Sequence, residues 1–248
     1  MVRFSLVALL GAVGITGVNA GAQIPSFSKN NNAGVPLRIM PVGASQVAGT
    51  GSTDGNGWRQ NLYNLLTYDG KSVSYAGTQN FGKLVWPLNL VEAYPGLTII
   101  EVLGKLLNDN VLSQQKPNVI IATIGSNNCV KRSKSPYDDG VSQMSQVLDQ
   151  IRDQLPDTLT LVAGVTRWLK DNQNDPCIQK VNAGIQQAVA NHQAYGQKVQ
   201  FVDLYDVLDP GADYIGDGLH PNDGGYKKLA KTWFEAILAW QGEISAPR

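Results

Sequence analysis

Pro117-Asn118-Val119-Ile120-Ile121-Ala122-Thr123-Ile124 is the stretch of this 248-residue chain that decides its fold. After the first two residues it is an almost continuous apolar run, which is typical of a strand buried on both faces. Such strands occur in parallel sheets that are covered by helices on each side. The run therefore predicts the centre of a parallel sheet.

Four further strands are predicted around this run, at residues 37–42, 72–77, 158–165 and 198–204. Helical apolar spacing separates them, at residues 58–66, 98–115, 136–155, 178–194 and 224–240, whereas residues 78–95 show no regular pattern. Alternating strands and helices predict a three-layer α/β/α sandwich with a five-stranded parallel sheet in flavodoxin-like order. In such a sheet, ligands bind beyond the carboxyl ends of the strands.

The composition is that of an ordinary globular protein. Hydrophobic residues make up 43% of the chain and charged residues 16%, and the formal net charge is zero. No basic surface is implied, so nucleic acid is not expected as a partner. The length suits one well-buried domain, which we place at residues 37–248.

The N-terminus has the features of a secretory signal peptide. Arg3 supplies positive charge, residues 6–13 form an apolar run, and Val18-Asn19-Ala20 has the small residues of a cleavage site. We therefore predict a signal peptide at residues 1–20, a secreted extracellular protein, and a flexible polar arm at residues 21–36. The alternative is a buried N-terminal helix. The apolar run is too short to span a membrane, and no membrane association is expected.

The cysteine content agrees with an extracellular location. The two cysteines, Cys129 and Cys177, fall near predicted loops at neighbouring strand ends. An oxidising compartment favours a disulfide between them, and two free buried thiols are the alternative.

Three residues from distant parts of the domain predict a serine hydrolase. Ser45 directly follows the first strand, and Asp217 and His220 lie in the turn at residues 216–222. A tight turn brings residues i and i+3 together, so Asp217 can orient the ring of His220 while that ring takes a proton from the serine. Taken alone, Ser45 could be a helix N-cap and His220 a surface histidine. The other histidine, His192, is given no role.

Acyl transfer also requires hydrogen-bond donors for a developing oxyanion. Gly77 can offer its backbone amide and Asn127 its side-chain amide, although both would also serve as plain turn residues. The glycine-rich loop at residues 49–57 lacks the Gly-Lys-Ser/Thr ending of a phosphate loop and is interpreted as mobile or ligand-facing. No Cys/His cluster suggests a metal site, and no cofactor is expected.

Serine, glycine, asparagine and histidine, each after a strand, resemble the SGNH (GDSL-like) hydrolases over essentially the whole mature chain. The details are similar to carbohydrate esterase family three, the secreted acetyl xylan esterases. The segments that carry the resemblance are Arg38-Ile39-Met40-Pro41, Gly57-Trp58-Arg59, Tyr94-Pro95-Gly96-Leu97-Thr98-Ile99, Gly125-Ser126-Asn127-Asn128-Cys129 and Asp217-Gly218-Leu219-His220-Pro221-Asn222. Two positions depart from the family pattern, because Ala44 and Asn128 stand where the family usually has aspartate.

The resemblance implies the SGNH hydrolase fold and a carboxylic ester hydrolase. It implies Ser45 as the nucleophile, His220 as the base and Asp217 as the group that orients it. It also implies an oxyanion hole formed by the Ser45 amide, Gly77 and Asn127.

The expected substrate is an acetylated plant cell-wall polysaccharide such as xylan, and the protein is expected to be a monomer. Trp58 and Trp86 are candidates for stacking on sugar rings, with core packing as the alternative. Two other functions stay open. One is an esterase or lipase that acts on other small esters, and the other is a carbohydrate-binding protein that has lost the reaction, as Ala44 and Asn128 would suggest.

Overall fold

The computed structural model describes residues 34–170 and 174–248, and one sheet of seven strands lies at its centre. The strands are β1 (Leu37–Gly43), β2 (Val73–Tyr75), β3 (Gln79–Asn80), β4 (Leu90–Ala93), β5 (Val119–Thr123), β6 (Leu159–Ala163) and β7 (Val199–Val202). Their order is β3-β4-β1-β5-β6-β7, and β2 also pairs with β1. The pairs are parallel except for the short antiparallel pair of β3 and β4.

Helices cover both faces of this sheet. They are α1 (Ser45–Ala48), α2 (Arg59–Tyr68), α3 (Ile99–Asn108), α4 (Val111–Gln115), α5 (Ser126–Val130), α6 (Pro136–Gln154), α7 (Asn174–Ala194) and α8 (Asp223–Ala239). One apolar cluster joins α3, α6 and α7 to the sheet, and another joins α2 and α8 to it. The predicted three-layer α/β/α architecture is confirmed.

The strand that the sequence places at the centre shows how the two clusters divide. All five residues of β5 are buried. Ile120 and Ala122 belong to the cluster of α3, α6 and α7, whereas Val119 and Ile121 belong to the cluster of α2 and α8. Because side chains alternate along a strand, the two clusters lie on opposite faces of the sheet.

The two edges of β1 are paired differently. On one edge, Ile39 to Gly43 pair with Val119 to Thr123 in a single ladder with β5. On the other edge, β2 pairs only as far as Ile39, and β4 takes its place opposite Val42 and Gly43. The segment that reaches the carboxyl end of β1 on this second edge is therefore the one that follows β4.

The five predicted strands are all present, but the count of five was too low. The sheet gains β3 and β4 from residues 78–95, where β4 is short and carries the charged Glu92 and so lacks an apolar run. The predicted helix at residues 98–115 is divided into α3 and α4, because Asn110 adopts a left-handed conformation with φ 49°. Asparagine tolerates that conformation better than most residues.

The predicted signal peptide and residues 21–33 of the predicted arm lie outside the described residues. At the end of that arm, Val35 is partly buried against the cluster of α2 and α8. Within the described ranges, no helix combines the length and the apolar character that crossing a membrane requires.

Candidate active site

Ser45 lies directly beyond the carboxyl end of β1. It is the first residue of α1, so its backbone amide has no partner within that helix. The approach to this turn requires glycine at position 43, because a Cβ there would lie 2.1 Å from the carbonyl oxygen of Thr123 on β5. The close packing of β1 on β5 leaves Ser45 at the edge of the sheet, where it is partly exposed.

Asp217 and His220 lie in a turn that fixes the carboxylate by itself. One carboxylate oxygen of Asp217 accepts hydrogen bonds from the backbone amides of Leu219 and His220, each at 2.9 Å. The helix α8 then begins after Asn222, whose side chain accepts a hydrogen bond from the amide of Gly225. The local sequence thus builds both the turn and the start of the helix that anchors it.

The start of α1 at Ser45 and the turn at residues 216–222 approach each other to hydrogen-bonding distance. The Nε2 atom of His220 lies 2.8 Å from Ser45 Oγ, and its Nδ1 atom lies 2.6 Å from the second carboxylate oxygen of Asp217. A neutral imidazole that is protonated at Nδ1 satisfies both contacts, because it donates to Asp217 and accepts from the serine hydroxyl. The prediction that these three side chains are neighbours in the fold is confirmed. This arrangement can remove a proton from a serine nucleophile.

The carboxyl group of Asp217 is held in its charged form. Burial would raise its pKa, but hydrogen bonds from the His220 ring and from the amides of His220 and Leu219 outweigh burial and set the pKa below its ordinary value. The Asp217 side chain is 43% exposed and that of His220 is 15% exposed. A negative charge at Nδ1 stabilises the imidazolium that forms when the ring accepts a proton.

Gln46 joins the serine loop to the histidine loop. Its side-chain amide donates to Thr166 Oγ1 at 2.8 Å and to the carbonyl oxygen of Leu219 at 3.3 Å. Gln46 follows Ser45, and Leu219 precedes His220. These buried hydrogen bonds therefore connect the neighbours of both reacting side chains.

The glycine-rich loop at residues 49–57 lies against the histidine turn. Gly51 has φ 98°, and a Cβ on it would lie 2.4 Å from the carbonyl oxygen of Pro221. The backbone amide and the hydroxyl of Thr53 both donate to the carboxylate of Asp223, each at 2.9 Å. The Tyr226 hydroxyl donates to the carbonyl oxygen of Thr50 at 2.7 Å. The loop thus borders the candidate site and is bound to the start of α8.

Asn127 lies on α5, which follows β5. Its side-chain amide donates to the carbonyl oxygen of Leu97 at 2.9 Å, and an amide nitrogen carries a second hydrogen that can point elsewhere. Two residues further along α5, Cys129 forms a disulfide with Cys177 of α7, with the Cα atoms 5.8 Å apart. The predicted disulfide is therefore present, and it ties the helix that carries Asn127 to α7.

Gly77 does not occupy the position predicted for it. Its backbone amide already donates to the side-chain oxygen of Gln115 at 3.2 Å, and a Cβ on Gly77 would lie 2.3 Å from the backbone of Val91. The residue is buried beside β4, below the end of β1. The prediction of Gly77 as an oxyanion donor is wrong for this structure, because β2 ends too early along β1 to bring it to Ser45.

The sequence reasoning missed Gly96. This glycine follows β4, whose last pairing with β1 is Ala93 opposite Gly43, and the backbone amide of Tyr94 donates to the carbonyl oxygen of Gly43. Gly96 is exposed, and a Cβ on it would meet no atom within 4 Å. Among the hydrogen bonds of the described residues, none uses its backbone amide. It lies beside Leu97, the partner of Asn127. The signal in the sequence was the segment from Tyr94 to Ile99.

Comparison with known proteins identifies the family. The sequence profile of the GDSL-like lipase/acylhydrolase family matches residues 42–228, a range that contains Ser45, Asn127 and His220. The chain belongs to the GDSL-like lipase/acylhydrolase family. The predicted class, a carboxylic ester hydrolase, is confirmed at the level of this family.

The individual relatives agree with this assignment. A family 3 carbohydrate esterase from Clostridium thermocellum is 30% identical with a TM-score of 0.73, and the match covers 84% of this chain and 98% of that one. A family 3 carbohydrate esterase from Talaromyces cellulolyticus, at 19% identity and a TM-score of 0.67, covers 84% of this chain and 100% of that one, and supports the fold alone. A multidomain esterase from Ruminococcus flavefaciens is 25% identical over 251 residues, 91% of this chain, but the chain spans only 31% of its length.

The two departures from the family pattern have different surroundings. Asn128 accepts a hydrogen bond from the backbone amide of Ile99 at 3.2 Å and donates to Gln143 at 2.9 Å, so its amide joins α5 to α3 and α6. Ala44 precedes α1 without any side-chain cap, and it lines a narrow crevice that has no room for a water molecule. The buried side-chain oxygens of Gln46 and Thr123, residues that line the same crevice, have no hydrogen-bond partner.

The two tryptophans that were candidates for sugar stacking lie in opposite environments. Trp58 is 1% exposed and packs against Trp233, with ring centroids 6.1 Å apart. The prediction of Trp58 as a substrate contact is wrong, because its ring belongs to the core between α2 and α8. Trp86 is 74% exposed, so its ring is accessible to a ligand. Within residues 34–170 and 174–248, no group of three or more His, Cys, Asp or Glu side chains is placed to hold a metal ion.

Proposed function

We propose that this GDSL-like protein is a secreted serine esterase that removes acetyl groups from a plant cell-wall polysaccharide such as xylan. The observation that carries the proposal is the continuous set of hydrogen bonds from Ser45 through His220 to Asp217, at 2.8 and 2.6 Å. The likeness to a family 3 carbohydrate esterase over almost all of that protein supports a carbohydrate ester as substrate.

In the proposed reaction, Ser45 Oγ attacks the carbonyl carbon of the acetyl ester while His220 Nε2 takes its proton. Asp217 keeps the ring in the required tautomer and stabilises the imidazolium. His220 then gives the proton to the sugar oxygen, which leaves as an alcohol. A water molecule, activated by the same histidine, attacks the acyl-enzyme and releases acetate.

The oxyanion of each tetrahedral intermediate needs donors near Ser45. We assign this role to the backbone amide of Ser45, the side-chain amide of Asn127 and the backbone amide of Gly96, which replaces the Gly77 of the sequence prediction. The first amide is free at the start of α1, and Gly96 has no other partner among the described residues. Asn127 keeps one amide hydrogen beyond its bond to Leu97.

The proposal of secretion is supported by two features. The N-terminal 20 residues have the composition of a signal peptide, and the domain contains a disulfide between Cys129 and Cys177. Disulfides persist in oxidising compartments and are rare in reducing ones.

Acetate release from acetylated xylan by a protein that lacks residues 1–20 tests the proposal. The wild type should release acetate, and Ser45→Ala should be slower by about 10⁴-fold or more, as is usual when a serine nucleophile is removed. Esters of increasing acyl length, tested in parallel, separate an acetyl esterase from a lipase. Equal acetate release by the two proteins would refute the serine mechanism. Binding to xylan without any acetate release would favour the carbohydrate-binding alternative.

A further inference from the structure

Trp86 is exposed at the tip of a loop between β3 and β4, unlike the other four tryptophans of the chain. Trp86 and its neighbour Val85 are each 74% exposed. Trp58 and Trp233 are buried, and Trp168 and Trp240 are partly buried against the two apolar clusters. A large exposed indole leaves an apolar face in water that a ligand can cover.

The loop that presents this indole is held by hydrogen bonds on both sides. Before the tip, the backbone amides of Lys83 and Leu84 donate to the side-chain oxygen of Asn56 at 2.8 and 3.1 Å. After the tip, the amide of Leu88 donates to the carbonyl oxygen of Val85 at 2.8 Å. Because the backbone is already ordered, a ligand that contacts the tip loses little binding energy in fixing it.

The same loop is continuous with the border of the candidate active site. The glycine-rich loop contacts the histidine turn through Gly51, and four residues later Gly55 lies against Gly82, where a Cβ on Gly55 would lie only 3.0 Å from the Gly82 Cα. The amide of Lys83 also donates to the carbonyl oxygen of Asp54 at 3.0 Å. One loop of protein therefore separates the Trp86 tip from the His220 turn.

Polar side chains also lie beside the glycine-rich loop. A hollow of about 240 Å³ lies between the glycine-rich loop, α2 and α8. Asp54, which binds Lys83 at the base of the tip, also lines the hollow, together with Asn61 and Lys227. Amide and ammonium groups at a wet surface can exchange hydrogen bonds with hydroxyl groups.

We propose that Trp86 is a stacking platform for a sugar ring of the polysaccharide main chain, at a distance from the ring whose acetyl group is removed. This inference rests on the proposed function, and it adds a second contact that only a polymer can reach. The polymer would run along the glycine-rich loop, with one ring on the indole and another at Ser45.

The size of the tip favours a sugar over a protein partner. A stable protein interface buries roughly 800 Å² on each side around an apolar centre. Here the exposed apolar residues are Val85 and Trp86 alone, and they are preceded by the exposed Gly82 and Lys83. A pyranose ring presents one apolar face of about the area of an indole and carries hydroxyl groups around its rim, which match an aromatic surface with polar neighbours.

Binding can be measured without catalysis in the Ser45→Ala protein, by affinity electrophoresis in gels that contain acetylated xylan. Adding Trp86→Ala should weaken the retardation about tenfold, whereas Trp86→Phe, which keeps an aromatic face, should retain most of it. Tyr195→Ala is the matched control, because Tyr195 is 85% exposed at the far end of α7 and should bind as the parent does. Binding by Trp86→Ala within twofold of the parent, or an equal loss in the Tyr195 variant, would overturn the platform.

Kinetics of the active protein separate this inference from the proposed function. With Ser45 intact, Trp86→Ala should raise KM for acetylated xylan about tenfold and leave kcat/KM for 4-nitrophenyl acetate within twofold. If Ser45→Ala abolishes hydrolysis but Trp86→Ala changes neither binding nor KM, the proposed stacking role of Trp86 is wrong and the proposed esterase function is supported. If Trp86→Ala impairs both substrates equally, its role is structural and the platform is again wrong.

Discussion

The two edges of β1 differ in how they are paired, and this difference determines which residues surround Ser45. The edge toward β5 is one ladder from Ile39 to Gly43. The opposite edge is shared, because β2 covers Leu37 to Ile39 and β4 covers Val42 and Gly43. On the ladder edge, the residues after β5 include Asn127, where the sequence predicts a site residue. On the shared edge, Ala76 and Gly77 after β2 are buried, whereas Gly96 after β4 is exposed.

The shared edge shows that position along a strand matters as much as the identity of the residue. Gly77 and Gly96 both follow strands that pair with β1. Gly77 lies beside Val91, and its backbone amide donates a hydrogen bond to the side-chain oxygen of Gln115. Gly96 continues past Ala93, the partner of Gly43, and keeps an amide without a partner among the described residues. A glycine after a strand is therefore a candidate donor only if its strand reaches the end of the strand that carries the serine.

Pro41 marks the interruption of the shared edge. The carbonyl oxygens of Ile39 and Gly43 accept from Ala76 and Tyr94, so odd-numbered residues of β1 direct their polar backbone groups to this edge. Pro41 has the same parity and lacks an N–H, and it lies between the end of the β2 pairing and the start of the β4 pairing. A proline inside a central strand would otherwise remove a ladder hydrogen bond.

Asn127 follows β5 on the ladder edge and donates to Leu97, which follows β4 on the shared edge. After the removal of Ser45, removing this side chain should give the largest effect. Asn127→Ala should lower kcat about 10²- to 10³-fold on an activated acetate ester with little change in KM, since an oxyanion donor acts mainly in the transition state. Steady-state kinetics check this. Asn128→Ala is the control, because Asn128 bonds Ile99 and Gln143 and should lose stability more than kcat. An equal loss of kcat in both variants would contradict a specific role for Asn127.

The two glycines of the shared edge should respond differently to alanine. Gly77→Ala places a Cβ 2.3 Å from the backbone of Val91, which cannot move without breaking β4. We expect a loss of about 3 kcal/mol in unfolding free energy, or roughly 6–12 °C in Tm. Gly96→Ala meets no atom, so only its φ of 84° opposes the substitution, at about 1–2 kcal/mol. Thermal unfolding of both variants measures the difference between the two losses. A larger loss of Tm in Gly96→Ala than in Gly77→Ala would contradict the close packing of Gly77 on Val91.

The ladder edge and β2 were predictable from local patterns, whereas β3 and β4 on the shared edge were not. β1, β5 and β6 are apolar runs, and the turn from Asp217 to His220 carries its own hydrogen bonds. By contrast, β4 is four residues long and contains Glu92, so no window of sequence distinguishes it from a loop. Its pairing depends on a tertiary contact with β1. The same limit applies to Trp58 and Trp86, whose opposite burial is decided by packing rather than by sequence.

Glu92 provides a pH-dependent test of the shared edge. Burial raises the pKa of this carboxyl, although hydrogen bonds from the Tyr94 hydroxyl and from the Thr78 amide and hydroxyl oppose the effect. A raised pKa in the fold means that stability is present below the unfolded pKa and is lost as the pH rises through the folded pKa. Glu92→Gln removes this loss, so the unfolding free energy of the variant should increase relative to that of the wild type as the pH rises from about 4 to neutral. Denaturant unfolding across that range measures it. A constant difference between the two proteins would show that Glu92 titrates normally.

The smallest expected effect lies at Ala44, where β1 passes into the serine turn. Ala44 is the N-cap of α1 but offers no side-chain acceptor, and Gln46 and Thr123, which line the crevice beside it, each have a buried side-chain oxygen without a hydrogen-bond partner. A hydroxyl at this position can accept from a free amide of the first turn and donate to the Gln46 oxygen. Ala44→Ser should therefore stabilise the fold by about 0.5–1 kcal/mol, or roughly 1–4 °C in Tm, and leave kcat within about threefold. Ala48→Ser, at the buried end of the same short helix, has no cap to supply and should not raise Tm. If Ala44→Ser lowers Tm as well, the crevice is too closely packed for a hydroxyl, and the alanine is then required by packing at the junction.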